Sequence, residues 1–369
     1  MAKDVATTAE THVRDYSMSG PDTERAKQAG LANAEWYRTQ VPRKVMKELM
    51  QRRDGPAIRD TLIWFALLGI GVWGGIALWG TWWAVPFWVL YGVLYGSACD
   101  ARWHECGHGT AFRTDWMNRF VYHIASFMVV RNPVTWRWSH ARHHTDTLVV
   151  GRDPEVACKR PPNLFRLLMA YAGVFDMIDS MKALANNAAG NISDDEKDYI
   201  PESEWPKVIF AARVHMAVYA ATALVTVWML AAGFGWASAI PFLLIGGPRI
   251  YGCWHFLLTG LIQHCGLAEN VTDHRLNSRT VYINPISRWI YLNMNYHIEH
   301  HMFPMVPYHA LPRLHEVLKH DMPPPNTSFL DAYREAIPAV IRQLKEPDYY
   351  VRKPLPPTAQ PYKEDVAHG

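Results

Sequence analysis

Residues 61–99 read TLIWFALLGIGVWGGIALWGTWWAVPFWVLYGVLYGSAC, and none of these 39 residues is Asp, Glu, Lys, Arg or His. One straight helix of that length would measure roughly 58 Å at about 1.5 Å per residue, about twice the thickness of a bilayer's hydrocarbon core. The segment must therefore fold back on itself, and Gly80, Thr81 and Pro86 mark the turn. The sequence predicts a hairpin of two membrane spans, near 61–79 and 83–99.

A second apolar block has the same organisation. It predicts spans near 208–231 and 238–262 joined by an uncharged turn at 232–236, and four ionisable residues interrupt it, namely Arg213, His215, Arg249 and His255. Two shorter apolar segments, 120–130 and 163–178, are punctuated by charge. We expect them to be helices that lie on the membrane surface.

The positive charges indicate the orientation of these spans. Of the 37 Lys and Arg residues, 35 lie before, between and after the two apolar blocks, and the outer turns have none. Cytoplasmic loops of membrane proteins carry such an excess of cations. We expect a cytoplasmic N-terminal extension over 1–54, a membrane domain over 55–320 and a cytoplasmic C-terminal tail over 321–369. Residues 1–60 contain no apolar core of a signal peptide, which supports a cytoplasmic N-terminus.

Composition excludes several classes of protein. A net charge of +3, without a basic face or a known reader motif, argues against a nucleic-acid partner. The five cysteines form no C-x-x-C pair, which argues against a zinc ribbon, an iron–sulfur cluster or a disulfide framework. The run Gly69–Gly74 matches G-x-G-x-x-G, but it lies within an apolar span rather than after a strand, so we do not interpret it as a nucleotide site.

Histidines carry the chemical signal. Eight of the 18 fall into three short motifs, which read His104-Glu-Cys-Gly-His108, His140-Ala-Arg-His143-His144 and His297-Ile-Glu-His300-His301. His264 lies at the end of the fourth predicted span. Residues three or four apart share one face of a helix, so each motif can present two imidazoles together. So many imidazoles exceed the three or four protein ligands of a typical single-ion site, which predicts two metal ions. Imidazole suits zinc, copper, iron and nickel alike, so the residues leave the metal open.

The histidine motifs allow two other interpretations. HECGH is also H-E-x-x-H, the zinc motif of a membrane metalloprotease with Glu105 as general base. That interpretation leaves the second and third histidine motifs unexplained. A metal transporter would place its ligands within the spans near the bilayer midplane, whereas these histidine motifs lie just beyond the predicted spans. Their location at the cytoplasmic ends of apolar spans favours an enzyme that oxidises a substrate presented from the bilayer.

The three motifs resemble the histidine boxes of the membrane fatty acid desaturase and hydroxylase superfamily, which have the forms H-x(3,4)-H, H-x(2,3)-H-H and H-x(2)-H-H. The resemblance covers about residues 55 to 320. It implies an all-α integral membrane fold, with four transmembrane helices in two hairpins and a cytoplasmic helical cap that carries a di-iron site. It also implies dioxygen as cosubstrate and iron ligands at His104, His108, His140, His143, His144, His264, His297, His300 and His301.

Two positions next to the boxes qualify this picture. Some members of the superfamily have an asparagine four residues before the ligand that corresponds to His264, and this chain has Gly260 there. Asp100 lies four residues before His104 on the same helix face, and a hydrogen bond from behind could orient that imidazole. Asp100 is equally well interpreted as a charged residue that ends a membrane helix.

The resemblance leaves the reaction open between two outcomes. Fatty acyl desaturation of a membrane lipid in a bacterial cytoplasmic membrane is the first. However, the stretches at 151–155 and 270–275 resemble a bacterial branch that includes oxygenases of rhizopine catabolism, which implies hydroxylation or O/N-demethylation of a small molecule with a Rieske-type ferredoxin. The chain has no flavin, nicotinamide or haem motif, so electrons must come from a separate ferredoxin or cytochrome b5-like donor.

Overall fold

The computed structural model describes residues 13–364, so the first 12 residues of the predicted N-terminal extension and the last five of the predicted tail lie outside it. Within this range the protein is helical and contains no strand, apart from two isolated bridges. Its α-helices are α1 Pro21–Gln28, α2 Arg43–Leu49, α3 Asp54–Ala77, α4 Ala84–Gly96, α5 Ala98–Gly107, α6 Asp115–Met128, α7 Pro133–Thr145, α8 Leu164–Ala170, α9 Val174–Ala188, α10 Asp194–Tyr199, α11 Trp205–Ala231, α12 Ile240–Leu244, α13 Gly247–Gly252, α14 Trp254–Gly260, α15 His274–Asn277, α16 Pro285–Ile290, α17 His297–Met302, α18 Leu311–Leu318 and α19 Phe329–Arg342. Short 3-10 helices cover Leu31–Asn33, Glu202–Glu204, Gly235–Ala239, Leu261–Gln263, Tyr308–Ala310 and Lys319–Asp321.

Two helical stretches, Arg43–Ala77 and Glu202–Ala231, are long and apolar enough to cross a membrane by length and composition. They contain the first and third predicted spans. Both expose large apolar side chains, such as Trp73 and Trp228, which are 71% and 63% exposed. An exposed apolar surface of this extent is unusual for a soluble monomer and typical of contact with lipid. The prediction of an all-α protein is thus confirmed, and two of the four predicted spans correspond to helices that are long and apolar enough to cross a membrane.

The second and fourth predicted spans are apolar but are not single long helices. The second is α4, which has 13 residues and ends at Gly96, and Ser97 separates it from α5. The fourth is divided into α12, α13 and α14, because Gly246 takes a positive φ of 84° and Pro248 starts the next helix. A Cβ on Gly252 would lie 1.8 Å from the carbonyl oxygen of Gly92, so the close crossing of α13 and α4 requires glycine.

Outside the long apolar helices, α5 packs on α6, α7 packs on α6 and α10, and α17 packs on α15 and α18. We call this part of the fold, α5 to α10 and α15 to α19, the cap. The described part of the N-terminal extension packs onto this cap rather than standing apart from it. The Tyr37 hydroxyl donates to an Asp321 carboxylate oxygen at 2.6 Å, and the Tyr16 hydroxyl donates to Glu269 at 2.8 Å. Residues from both predicted terminal segments therefore contribute to the layer that covers the histidines.

Candidate metal centre

The three histidine boxes occupy helices, as their spacing predicts. His104 lies in α5 and His108 follows its last residue; α7 contains the second box and α17 contains the third. Helix α7 starts where it does because Pro133 occupies its first turn and the Asn132 side chain accepts hydrogen bonds from two backbone N–H groups of that turn.

Tertiary packing gathers nine imidazoles into two groups in which the candidate ligand atoms lie within 4.8 Å of one another. Cluster one contains His104, His108, His140, His144 and His300. Cluster two contains His143, His264, His297 and His301. Each of the nine histidines that the sequence analysis predicted as metal ligands lies in one of these two clusters. The second and third boxes are each divided between the clusters, since His143 and His300 lie in the cluster that does not contain the rest of their box.

Within each cluster the Nε2 atoms face one another. In cluster one, Nε2 of His140 lies 3.1 Å from Nε2 of His108 and also 3.1 Å from Nε2 of His144. In cluster two, Nε2 of His297 lies 2.9 Å from Nε2 of His264 and 3.0 Å from Nε2 of His301. The same ring atom therefore converges from several helices onto two points.

In cluster two, each imidazole has a hydrogen-bonding group behind it at Nδ1. His143 Nδ1 donates to an Asp153 carboxylate oxygen at 2.9 Å, and His264 Nδ1 donates to the Asn277 carbonyl at 2.8 Å. The Thr147 hydroxyl gives its proton to the His143 carbonyl and can accept from His301 Nδ1 at 3.2 Å.

The side-chain amide nitrogen of Gln263 lies 3.1 Å from Nδ1 of the fourth imidazole, His297, and it can only donate there, whereas the other three rings have an acceptor behind Nδ1. A proton held at Nδ1 leaves the Nε2 lone pair free for a metal.

Asp153 is the charged group among these partners, and its side chain is 0% exposed. Burial raises the pKa of this carboxyl, but the neighbouring His143 and the backbone N–H groups of Leu148 and Glu155 leave the pKa below its ordinary value. Asp153 is therefore an anion directly behind a cluster-two imidazole. A carboxylate in that position fixes the tautomer of the ring and increases its basicity as a ligand.

Cluster one is held differently. His140 Nδ1 donates to Glu155 at 2.9 Å, and the His140 ring stacks on Trp136 at a centroid distance of 4.4 Å. By contrast, Nδ1 of His104, His144 and His300 has no hydrogen-bond partner among residues 13–364. These rings are positioned by packing rather than by hydrogen bonds from behind.

The two clusters fit the requirements of a metal site. Burial lowers the pKa of His144, His297, His300 and His301 well below the usual value, and adjacent imidazoles lower it further, so these rings are neutral. Neutral rings that keep a proton at Nδ1 have bare Nε2 atoms, and bare lone pairs about 3 Å apart repel unless a cation lies between them. All donors are imidazole nitrogens, which suits a transition-metal ion.

Asp100 does not form the hydrogen bond to His104 that its spacing suggested. Its carboxylate instead pairs with the buried guanidinium of Arg249, which also binds Asp176 at 3.0 Å. His104 has no hydrogen-bond partner at either nitrogen within the described range. The prediction that Asp100 orients His104 is wrong for this structure, because a fully charged partner in the fourth apolar segment binds the carboxylate.

A profile of the fatty acid desaturase family matches residues 80–333, which is more than half of the chain and includes all nine histidines. The chain belongs to the fatty acid desaturase family. It is therefore an enzyme of desaturase type, an oxidoreductase of lipid metabolism, as the histidine boxes indicated.

Two relatives of this desaturase come from Synechocystis sp. (strain ATCC 27184 / PCC 6803 / Kazusa). One is named sn-1 oleoyl-lipid 12-desaturase and is 25% identical over 300 residues, covering 75% of this chain and 80% of the relative. The other is named sn-1 acyl-lipid omega-3 desaturase (ferredoxin) and is 23% identical over 260 residues, covering 65% and 68%. A shorter match, 34% identical over 80 residues, covers 22% of this chain and 19% of Delta(12) fatty acid desaturase fat-2 from Caenorhabditis elegans.

Glu105 of this desaturase is not placed as the general base of a zinc hydrolase. Its carboxylate is fully buried, accepts a hydrogen bond from the Thr110 hydroxyl at 3.0 Å and accepts another from the Tyr308 backbone N–H at 3.1 Å. Glu105 therefore ties the α5 helix to the cap, which removes the main support for the protease interpretation.

Sequence reasoning missed the residues behind the imidazoles of this desaturase. Asp153 and Glu155 lie in the stretch Gly151-Arg-Asp-Pro-Glu155, which the sequence analysis used only for its resemblance to a bacterial branch of oxygenases. Two carboxylates within twelve residues after a histidine box are a usable signal, because ligating histidines usually donate to a carboxylate or a carbonyl. Thr147, Gln263 and the Asn277 carbonyl gave no such signal, since their role depends on how distant segments meet.

Proposed function

We propose that this desaturase inserts a double bond into an acyl chain of a membrane lipid, with one iron ion in each histidine cluster and dioxygen as the oxidant. The observation that carries the proposal is the convergence of nine imidazoles on two adjacent points. Membership of the desaturase family and relatives named as acyl-lipid desaturases support the choice of substrate. We propose all nine histidines as iron ligands.

The metals, when bound and reduced, would supply the oxidising power that removes hydrogen from an unactivated C–H bond. The protein's contribution is to hold the ligands in one geometry. Asp153 keeps a proton on Nδ1 of His143, and the Asn277 carbonyl does the same for His264, so that their Nε2 atoms face inward. Ligands that are already oriented lose little freedom when an ion binds, which favours a single site geometry.

The chain also keeps water from the centre. His143, His297, His300 and His301 are all 5% exposed or less. Trp136 covers His140 from one side, and Trp36 of the N-terminal segment stacks on His274 at 4.2 Å, with the His274 ring 5.0 Å from His301. A dry, aromatic-lined centre suits an apolar substrate and limits side reactions with solvent.

We further propose that all four apolar segments lie in a bacterial cytoplasmic membrane, with both termini and the histidine clusters on the cytoplasmic side. The distribution of cations supports this orientation, and the exposed apolar surfaces of α3 and α11 support contact with lipid. The boundaries at residues 54 and 320 stay predictions, since N-terminal and C-terminal residues pack on the same cap.

A ferredoxin is the electron donor that we propose, because one relative is named as a ferredoxin-dependent acyl-lipid desaturase. The chain has no motif for an electron carrier of its own, so two electrons per turnover must come from outside.

The test is expression of the full chain in a lipid-rich bacterial host with a ferredoxin and its reductase, followed by mass spectrometry of the lipids. Loss of two hydrogens from an acyl chain is the expected result, and iron analysis of the purified enzyme should approach two ions per chain. Gain of an oxygen atom, or formaldehyde from an added methylated small molecule, would instead support hydroxylation or demethylation. One zinc per chain without oxygen consumption would contradict the proposal altogether.

A further inference from the structure

The C-terminal helix α19 is apolar on two opposite faces. Its inner face consists of Ala332, Ala336, Ala339 and Val340, which are all buried against the cap. Its outer face carries Leu330, Ile337, Ile341 and Leu344, just past the helix end, which are 59%, 52%, 52% and 42% exposed. At 100° per residue these four positions fall within a stripe about 60° wide. The outer stripe is therefore a continuous apolar surface that the described part of the chain does not cover.

Helix α19 lies against the apolar segments rather than at the far side of the cap. The Tyr333 hydroxyl donates to the Leu258 carbonyl of α14 at 3.0 Å, and α14 is the last helix of the fourth apolar segment. In turn, the α14 backbone N–H of Phe256 donates to the Ser97 hydroxyl, at the junction of α4 and α5. Helix α19 is thus joined to the last helix of the fourth apolar segment, which is itself joined to the end of the second.

A second exposed apolar surface lies beside it. The Tyr171 and Tyr333 hydroxyls are 2.5 Å apart, which joins the end of α8 to α19. Helix α8 has no buried residue, and its Phe165 and Leu168 are 65% and 70% exposed. The two helices therefore present apolar side chains from neighbouring positions around the ends of the apolar segments.

We propose that the outer stripe of α19 is embedded in the cytoplasmic leaflet of the bilayer, so that this part of the tail is a membrane-surface helix. Lipid is the partner that fits, because the stripe continues the apolar surface of the spanning segments and of α8. Exposed Arg334 and Lys345 flank the stripe, where their stems can lie along acyl chains while their charges reach anionic headgroups. This placement is independent of the reaction that the enzyme catalyses.

The experiment places a fluorescent reporter on the stripe. Single cysteines replace Ile337 or Ile341 in the full chain, react with the polarity-sensitive dye NBD, and are reconstituted in vesicles of phosphatidylcholine and phosphatidylglycerol. Glu316→Cys on α18 is the matched control, because this side chain is 65% exposed and lies outside the stripe. The unsubstituted chain reports background labelling of Cys158, the one native cysteine that is not buried.

At Ile337→Cys and Ile341→Cys we expect emission at shorter wavelength, quenching by lipids with a nitroxide near the headgroup, and protection from aqueous iodide. Glu316→Cys should show the reverse. Iodide quenching of the stripe positions equal to that of the control would overturn the proposal. A shift to shorter wavelength without quenching by nitroxide lipids would also overturn it, because a protein surface rather than lipid would then cover the stripe.

Discussion

Cluster two places a hydrogen-bond acceptor behind Nδ1 of three of its four imidazoles and the Gln263 amide nitrogen behind the fourth, whereas cluster one leaves three of its five without any partner at Nδ1. Cluster two thus has fewer ligands but a more complete set of orienting hydrogen bonds. Cluster one has one more imidazole and relies on packing, such as the stacking of His140 on Trp136. The difference teaches that two sites built from the same residue type can obtain a defined geometry in different ways. It also predicts that changes behind the imidazoles will affect cluster two more than cluster one.

The largest effect should come from removing one ligand of either cluster. His143→Ala takes an imidazole from cluster two, and His300→Ala takes one from cluster one. Because a buried ligand set cannot replace a missing donor, we expect each variant to lose desaturation and part of its iron while it still inserts into the membrane. Activity in membranes and iron per chain are the measurements. His320→Ala, at an exposed position outside both clusters, is the control and should behave as the parent. Full turnover by either variant would remove that residue from the centre.

Changing the carboxylates behind the imidazoles tests the contrast directly. Asp153→Asn removes a buried charge that accepts from His143, and we expect iron affinity at cluster two to fall on the order of 10- to 100-fold. Glu155→Gln should have a smaller effect, because the Glu155 side chain is 24% exposed, whereas that of Asp153 is 0% exposed, so solvent already screens the Glu155 charge. Iron retained after dialysis against a graded series of chelator concentrations measures both. An equal or larger loss in Glu155→Gln would contradict the contrast.

A smaller effect is expected at Thr147, the hydroxyl behind His301. Thr147→Val leaves the Nδ1 proton of His301 without an acceptor in a buried site, and the lower end of the usual cost, about 1 kcal/mol, corresponds to about five-fold. We expect a several-fold loss of iron affinity, less than in Asp153→Asn. Thr135→Val is a matched control on α7, since the Thr135 hydroxyl has no hydrogen-bond partner among the described residues. If both threonine variants lost iron equally, the Thr147 hydroxyl would have no specific role.

The smallest effect on the metals should be that of Asp100→Asn. The Asp100 carboxylate pairs with Arg249 rather than with His104, so the variant should keep its iron affinity. It should nevertheless lose stability by about 3 to 5 kcal/mol, the usual range when one partner of a buried ion pair is removed. Thermal unfolding and chelator titration separate the two effects. A drop in iron affinity that matched Asp153→Asn would restore the role that the sequence suggested for Asp100.

The fold could be predicted where a segment's own composition decides its structure. Helices α3 and α11 follow from long apolar runs, since a helix satisfies its backbone hydrogen bonds internally and needs no partner for that. The segment 238–262 reads equally well as a span, yet it is divided at Gly246 and Gly252. The second break reflects the approach of α13 to α4, a contact between residues about 160 positions apart that no local pattern encodes.

The histidine boxes by themselves determined that three pairs of imidazoles four residues apart would each share a helix face, because helical periodicity is a local property. Which metal each box serves was decided only by tertiary structure. His143 and His144 project about 100° apart around α7, as do His300 and His301 around α17, so each pair points to two different clusters. The groups behind the rings, such as Asp153 and the Asn277 carbonyl, come from loops and turns whose placement depends on packing of the whole cap.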